Sequence, residues 1–177
     1  MVCIFCTIYI LRITRRFTLY RKTFRPNQVL IICRYFKKEI LCKTLGGNCC
    51  YKITITAPKI SHKEKKKTII LSSRVHPGET VSSWMIRGSL FFLTGPSPLA
   101  EALRQRYVFV IIPMLNPDGV IQGNYRTSLL GSDLNRKYNT ASKILHPTVY
   151  YYRMLCREIA DANKCEFLCD YHGHSRK

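Results

Sequence analysis

The sequence predicts an α/β domain whose sheet is partly parallel. Two observations support this fold class: short apolar runs rich in β-branched and aromatic residues recur from residue 51 onward, and longer amphipathic segments separate the later ones. Strands that alternate with helices build a layered domain around a largely parallel sheet. The length of 177 residues, of which 46% are hydrophobic, is enough for one such domain or for part of a larger one.

The first predicted strands follow a glycine-containing turn at residues 45–47. Tyr51–Thr56 alternates in the manner of a half-buried strand, and Thr68–Ser72 is typical of a buried strand. Between them, His62–Lys67 is a charged segment that we expect to form a solvent-exposed turn. The two strands are therefore predicted to pair as a hairpin.

Two helices and two further strands are predicted after this hairpin. Thr80–Leu93 fits a helix with one buried side, because its apolar residues recur at helical spacing. The residues expected on that side are Val81, Trp84, Met85, Leu90 and Phe91. A short helix over Pro98–Arg106 leads into Tyr107–Ile112, an apolar run typical of a strand covered on both faces. Pro147 begins a second long helix that extends to about Asn163, and a last strand lies near Glu166–Asp170.

The chain is strongly basic, with a formal net charge of +19, and this charge is unevenly distributed. Residues 1–67 hold 16 of the 29 Lys and Arg residues and only two acidic residues. Residues 1–45 sustain neither a helical nor a strand period. We therefore expect a poorly defined basic segment over residues 1–45 and a folded domain over residues 46–177.

The nine cysteines show no spacing that repeats as in a disulfide-stapled secreted domain. The apolar residues 1–11 lack a preceding basic region and a following small-residue cleavage site, and they are too few to span a bilayer. We therefore expect free thiols, a reducing compartment and a cytoplasmic protein.

The segment H-P-G-E at residues 76–79 offers the first candidate metal ligands. It lies where a predicted strand is followed by a helix. A His and a Glu three positions apart across such a turn can direct an imidazole nitrogen and a carboxylate oxygen at one metal ion. The same spacing occurs in ordinary surface pairs, so this motif alone leaves that interpretation open.

The segment D-Y-H at residues 170–172 follows the last predicted strand. Functional groups gather at the carboxyl ends of strands in α/β sheets, so His172 can supply a third ligand. Two His and one Glu form a zinc site with one position left for water. Two alternatives remain open here: a thiol set of Cys165 and Cys169 with His172, and His174 as the ligand in its place.

Between these segments lie N-P-D-G at residues 116–119, then Arg126, then D-L-N-R at residues 133–136. We expect N-P-D-G to form a tight turn. Arg is suited to bidentate binding of a carboxylate, and Asn135 beside Arg136 adds a neutral donor. These residues therefore indicate a binding site for a carboxylate, although each Arg can also be a solvated surface charge.

In their order along the chain, the segments H-P-G-E, N-P-D-G, D-L-N-R and D-Y-H-G-H-S-R-K resemble those of the zinc carboxypeptidases. They are most similar to the cytosolic carboxypeptidase subfamily, the tubulin deglutamylases. The similarity runs from about Leu41 to Lys177. It implies a partial carboxypeptidase-type mixed sheet flanked by helices and preceded by a short basic remnant of an N-terminal β domain.

The resemblance also implies a site for one Zn²⁺ ion and a reaction. The implied zinc ligands are His76, Glu79 and His172. Arg126 is implied as the catalytic residue that polarises the scissile carbonyl, and Asn135 and Arg136 as the residues that bind the terminal carboxylate of the substrate. The implied reaction is hydrolytic release of one C-terminal residue, in this subfamily commonly glutamate from polyglutamate side chains or acidic tails of tubulin. A cytoplasmic, microtubule-associated location accompanies that substrate.

The sequence departs from the pattern that it resembles at its end. The family's general-base glutamate and substrate-covering tyrosine lie well downstream of the D-x-H segment, whereas this sequence ends five residues after His172. We therefore expect the N-terminal half of a catalytic domain, with exposed sheet edges and an open zinc site. A non-catalytic fragment that binds zinc or acidic tails is the alternative function.

Two further alternatives follow from other features. The aromatic residues Phe17, Tyr20 and Phe24 lie among cationic side chains, as in surfaces that bind nucleic acids or membranes. No recognised nucleic-acid motif accompanies them, so we expect neither partner and favour acidic polypeptides. A deacylase that shares the ligand pattern is disfavoured by Asn135 and Arg136.

Overall fold

A computed structural model describes residues 35–58, 66–162 and 164–173 of the chain. In these residues the strands are β1 (Phe36–Lys43), β2 (Cys49–Ile55), β3 (Lys67–Ser73), β4 (Tyr107–Ile112) and β5 (Cys165–Tyr171). The helices are α1 (Thr80–Thr94), α2 (Pro98–Arg106), α3 (Pro117–Gln122) and α4 (Pro147–Asp161), with a 3-10 helix over Leu134–Arg136. The aromatic residues Phe17, Tyr20 and Phe24 lie outside the described residues.

All five strands belong to one mixed sheet with the order β1-β2-β4-β3-β5. β1 and β2 are antiparallel, β2 is antiparallel to β4, and β4, β3 and β5 run parallel to one another. Parallel neighbours require crossover connections, which α1 with α2 and α3 with α4 supply. This sheet with its flanking helices confirms the predicted α/β fold class.

The predicted hairpin of Tyr51–Thr56 with Thr68–Ser72 is wrong, because β4 lies between the corresponding strands β2 and β3. The last four residues of β4, Phe109–Ile112, are buried, and a strand that is apolar on both faces belongs in the middle of a sheet. The hairpin of the fold is formed by β1 and β2 instead. β1 lies within residues 1–45, in which the sequence shows no sustained strand period.

Two apolar clusters cover the two faces of the sheet. Ile70 and Leu71 are adjacent in β3 and enter different clusters, because successive strand residues point to opposite faces. The α4 helix contributes Val149 and Tyr152 to the cluster of Ile70, and α1 contributes three residues to the cluster of Leu71. The loop that carries His76 and Glu79 therefore begins on a strand that is packed on both faces.

The buried side of α1 differs from the predicted one. The buried residues of α1 are Ser82, Ile86, Leu90 and Leu93. Of the five predicted residues only Leu90 is buried, and Trp84 is 60% exposed. The prediction was wrong because apolar residues occupy both sides of this helix, so that their spacing did not identify the side that contacts the sheet.

Two local predictions also need correction. Lys66, expected in a solvent-exposed turn, is buried, and its ammonium group donates to the carbonyl oxygens of Ala57 at 2.6 Å and Arg104 at 3.0 Å. The preceding residues 59–65 lie outside the described residues. The N-P-D-G segment is not an isolated turn but the beginning of α3, where the Asn116 side chain accepts the backbone amide of Gly119 at 3.0 Å.

Within the described part of the chain, β5 is an edge strand that pairs with β3 alone. Its residues Phe167 and Leu168 are 52% and 46% exposed, which agrees with the expectation of an exposed sheet edge. None of the helices in residues 35–58, 66–162 and 164–173 is long and apolar enough to cross a membrane.

Candidate metal centre

The candidate metal centre lies at the carboxyl ends of the parallel strands β3 and β5. β3 ends at Ser73, and the following loop carries His76 and Glu79; β5 ends at Tyr171, directly before His172. Ser73 and Tyr171 are partners in the register of the two strands, so the two loops begin side by side. The position agrees with the rule that α/β sheets bind ligands beyond the carboxyl ends of their strands.

The side chains of His76, Glu79 and His172 converge on one point. Oε1 of Glu79 lies 2.8 Å from Nδ1 of His76, and Oε2 lies 3.1 Å from Nδ1 of His172. One potential ligand atom from each of the three residues lies within 4.8 Å of the other two. The predicted pairing of two imidazoles with one carboxylate is therefore present in the folded chain.

Both imidazoles are oriented in the same way. Their Nδ1 atoms face Glu79, while Nε2 of His76 lies 3.2 Å from Asp133 and Nε2 of His172 lies 2.6 Å from Asp170. A carboxylate at Nε2 favours the tautomer that carries its proton there, which leaves the Nδ1 lone pair free to bind a metal ion. Two such nitrogens and one carboxylate oxygen are the donor set of an open catalytic zinc site, so these residues fit zinc.

The Glu79 carboxyl is stabilised in its ionised form. Burial raises the pKa of Glu79, but the Gly173 amide, which donates to Oε2 over 2.9 Å, and the His76 imidazole together outweigh burial and hold the pKa below its ordinary value. A carboxyl group binds a metal ion as a carboxylate. Glu79 is therefore ready to act as a ligand at neutral pH.

A buried Arg74 holds the turn between His76 and Glu79. Its Nε atom donates to the carbonyl oxygen of Pro77 at 2.7 Å, and Nη1 donates to the hydroxyl of Ser83 at 2.7 Å. The backbone φ of Arg74 is +57°, a left-handed value that is uncommon for a residue with a side chain. These hydrogen bonds fasten the ligand turn to the beginning of α1 and offset the cost of that conformation, about 1–3 kcal/mol.

The same turn contacts the loop that carries Arg126. The Gly78 amide donates to the carbonyl oxygen of Tyr125 at 2.6 Å. A Cβ atom at Gly78 would lie 2.8 Å from that oxygen and 2.3 Å from the Tyr125 ring, so the approach requires glycine. The Asn116 amide adds a hydrogen bond to the Thr127 carbonyl at 3.3 Å. The H-P-G-E and N-P-D-G segments thus both bind the loop that carries Arg126 and together fix its position.

Asp133 connects Arg126 with the metal centre. One of its carboxylate oxygens accepts from Nε of Arg126 at 2.8 Å, and the other lies 3.2 Å from Nε2 of His76 and accepts the Asn135 amide at 2.9 Å. Burial raises the pKa of Asp133, but the Asn135 amide and the Arg126 guanidinium outweigh burial and lower it. An ionised Asp133 therefore orients one candidate ligand and one candidate catalytic side chain.

Asn135 and Arg136 lie in the 3-10 helix that Asp133 caps. Leu134, the first residue of this helix, is 4% exposed and packs into the cluster that contains α4. Asn135 is half-buried and Arg136 is exposed. The structure therefore brings Asn135 next to Asp133, while Arg136 remains accessible to an approaching anion.

In the described part of the chain, the candidate metal cluster contains no thiol. Cys165 and Cys169 are free cysteines in β5 and do not belong to it, and His174 lies outside the described residues. Sequence reasoning gave no role to Asp133 and Asp170, although both stand in the quoted motifs. An acidic residue beside a candidate His ligand was the available signal, but its contact with Nε2 depends on the fold.

Comparison with known proteins agrees with this geometry. The family model "Zinc carboxypeptidase" matches residues 34–164. Cytosolic carboxypeptidase 1 of Homo sapiens is 48% identical over 160 residues, which cover 86% of this chain and 13% of the human protein. Cytosolic carboxypeptidase 2 of Danio rerio is 46% identical over 145 residues, covering 81% of this chain and 20% of that protein. The chain thus spans a small part of the length of these curated relatives.

Solved structures share the fold. A metallo-carboxypeptidase from Burkholderia cenocepacia matches with a TM-score of 0.72 and 30% identity, covering 79% of this chain and 37% of that chain. The carboxypeptidase A of Helicoverpa armigera, at 16% identity, matches in fold with a TM-score of 0.65, covering 84% of this chain and 43% of that chain. Since the family model covers most of the chain and includes β1 to β4 and the H-P-G-E turn, this chain belongs to the zinc carboxypeptidase family.

Proposed function

We propose that this chain forms part of a zinc-dependent metallocarboxypeptidase, a hydrolase that removes C-terminal residues from polypeptides. The observation that carries the proposal is the convergence of His76, Glu79 and His172, with both imidazoles held at Nε2 by carboxylates. In this proposal the three residues hold one zinc ion, and residues 46–177 together with β1 form the N-terminal half of the catalytic domain. Zinc at this position supplies a Lewis acid that polarises a carbonyl group and lowers the pKa of water.

Arg126 is the proposed catalytic residue. Its guanidinium group is always charged, and Asp133 holds it through Nε. This bond leaves the two terminal nitrogens of Arg126 to donate to the carbonyl oxygen of the scissile bond. Donors fixed in advance of the reaction stabilise the charge that develops on such an oxygen.

Asn135 and Arg136 are the proposed binding residues for the terminal carboxylate of the substrate. A guanidinium group binds both oxygens of a carboxylate, and a neighbouring amide adds a further donor. Asp133, which caps the 3-10 helix of Asn135 and Arg136, accepts both the backbone amide of Asn135 and Nε of Arg126. This arrangement favours cleavage at the end of a chain over cleavage within it.

The proposed substrates are acidic polypeptide ends, in particular the glutamates of polyglutamate side chains or acidic tails, with tubulin as the candidate partner. The relatives that carry the name cytosolic carboxypeptidase support a cytoplasmic location. A microtubule-associated location accompanies tubulin as the proposed partner. The net charge of +19 supports a polyanionic partner, because opposite charge raises the rate of encounter.

The metal assignment is tested by elemental analysis of the purified 177-residue chain. His76→Ala removes one proposed ligand, and we expect its zinc content to fall well below that of the unaltered protein. His146→Ala is the matched control, because His146 accepts the backbone amide of Ser142 and lies outside the candidate cluster. Equal zinc in all three proteins would exclude His76 as a ligand.

The proposed activity is tested by glutamate release from a polyglutamylated peptide. Arg126→Ala should lower the rate by about 10²–10³, the usual effect of losing one donor to a developing oxyanion. Arg106→Ala on the exposed surface of α2 is the control. Equal rates for the two variants would contradict the role of Arg126.

A non-catalytic binding function is the second candidate. The carboxylates at the site, Glu79, Asp133 and Asp170, all contact imidazole nitrogens, and we assign none of them as the general base. Loss of general-base catalysis typically costs about 10²–10⁴ in rate. Zinc and peptide binding by this chain without release of glutamate would therefore favour the binding function.

A further inference from the structure

A chain of hydrogen bonds extends from helix α4 to the candidate ligand His172. The Tyr152 hydroxyl donates to Oγ of Ser72 at 3.0 Å, and the Ser72 hydroxyl donates to Oδ1 of Asp170 at 2.7 Å. The other oxygen of Asp170, Oδ2, lies 2.6 Å from Nε2 of His172. Tyr152 and Ser72 are 3% and 0% exposed, so these bonds form where water does not compete.

The hydrogen bonds of this network run in one direction, from Tyr152 to Asp170. Burial raises the pKa of Tyr152, so its hydroxyl keeps its proton and remains a donor at neutral pH. The Ser72 hydroxyl accepts the hydrogen bond of Tyr152 and donates its own hydrogen to Oδ1 of Asp170. Asp170 is thereby held with Oδ2 at Nε2 of His172, and the imidazole is held with Nδ1 on the side of Glu79, as metal binding requires.

The two candidate ligand imidazoles differ in what supports them. His76 is supported by Asp133, whose side chain is 20% exposed and pairs with Arg126, itself 45% exposed. The support of His172 continues instead into the apolar cluster of α4, to which Tyr152 belongs. The packing of α4 against the sheet therefore fixes one side of the site from within the core.

We propose that Tyr152 and Ser72 are positioning residues that act through Asp170 to hold the His172 imidazole with Nε2 toward Asp170 and Nδ1 toward the candidate metal position. This inference deepens the proposed function, because it rests on His172 as a ligand of the metal ion. Helix α4 packs on the sheet and contributes no candidate ligand, and this inference gives it a role in orienting one.

The surroundings of the His172 imidazole are measured in the zinc-free 177-residue chain from the ¹⁵N chemical shifts of its two ring nitrogens. Tyr152→Phe and Ser72→Ala interrupt the hydrogen-bonded network at different points. Tyr150→Phe removes a hydroxyl from the same helix outside these bonds and is the matched control. We expect the ¹⁵N shifts of His172 to change in the first two variants and to stay as in the unaltered protein in the control.

Zinc affinity, measured by competition with a chelator, gives the second readout. Asp170→Asn should weaken zinc binding by about 10–100-fold, as loss of a direct partner of a ligand histidine does. Tyr152→Phe should weaken it by about threefold to tenfold, the size of one neutral hydrogen bond. The visible spectrum of the Co²⁺-substituted protein should shift in both variants and remain unchanged in Tyr150→Phe.

The outcomes separate this inference from the metal assignment. If Tyr152→Phe and Ser72→Ala keep both the ¹⁵N shifts and the zinc affinity of the control, the inference is overturned; if Tyr152→Phe fails to fold, Ser72→Ala decides alone. If His172→Ala binds zinc as tightly as the unaltered chain, the metal assignment fails. The ¹⁵N measurement needs no metal ion, so it decides the role of Tyr152 in either case.

Discussion

Replacing Gly78 with alanine should displace the loop that carries Arg126. A Cβ atom at this position would lie 2.3 Å from the Tyr125 ring and 2.8 Å from the Tyr125 carbonyl oxygen, whereas ordinary contacts begin at 3.4 Å. The ring can rotate away, but the oxygen belongs to the backbone and accepts the Gly78 amide. The loop must therefore move as a whole, and Arg126, the next residue, moves with it.

The expected cost follows from this clash. Overpacking of a closely packed contact lowers stability by typically about 1–3 kcal/mol, and we expect the free energy of unfolding of Gly78→Ala to fall by that amount. The measurement is urea denaturation of the zinc-free chain followed by far-ultraviolet circular dichroism. The matched control is Gly88→Ala in α1, where a Cβ atom meets nothing within 4 Å. Alanine there should raise stability by about 0.5–1 kcal/mol, because glycine is a poor helix former.

The two glycine variants should also differ at the site. A displacement of about 1 Å in a positioned catalytic group can lower a rate by about 10². Gly78→Ala should therefore lose glutamate release while it keeps its zinc, since the clash involves the Arg126 loop. If Gly78→Ala proves as stable as Gly88→Ala and equally active, the loop does not depend on glycine at this turn.

Two further predictions concern groups outside the metal centre. Asp118 accepts three hydrogen bonds of 2.6–2.8 Å from the turn between β1 and β2. Asp118→Asn should therefore lower the free energy of unfolding, measured in urea, by about 1–3 kcal/mol. The control Asp161→Asn, at an exposed position, should change it by less than about 0.5 kcal/mol. A stable Asp118→Asn would show that this contact is dispensable. The Lys43 ammonium, 3.0 Å from Sγ of Cys49, lowers the pKa of Cys49, whereas burial raises the pKa of Cys156 to about 11. Iodoacetamide at pH 8 should therefore alkylate Cys49 faster than Cys156, as mass spectrometry can measure, and Lys43→Gln should slow the reaction of Cys49. Equal rates at the two thiols would contradict the assignment.

Elements with one clear local signal could be predicted from the sequence. Pro98–Arg106 and Tyr107–Ile112 have the predicted bounds in the structure, because proline marks the start of the helix and a dense run of β-branched and aromatic residues marks the strand. The pairing of strands could not be predicted in the same way. The insertion of β4 between β2 and β3 is decided by contacts between residues far apart in sequence, and no local pattern reports them.

The site shows the same division between local and long-range information. The motifs supplied His76, Glu79 and His172, since each residue type has a chemical reason to stand at a strand end. Their supporting carboxylates, Asp133 and Asp170, received no role, because only the folded chain shows which atom of which imidazole they contact. The candidate ligands could therefore be read from the sequence, whereas the orientation of their side chains could not.

The charges of the site favour a divalent cation within a basic protein. Three carboxylates surround two imidazoles, and Arg126 contributes the positive charge paired with Asp133. With ionised carboxylates and neutral imidazoles, these groups sum to about two negative charges, which one divalent ion cancels. Without the ion, the same carboxylates repel an acidic chain end, although the chain as a whole is positive. The proposed zinc ion therefore has a second effect beside its Lewis acidity, because it removes the local charge that opposes the proposed substrate.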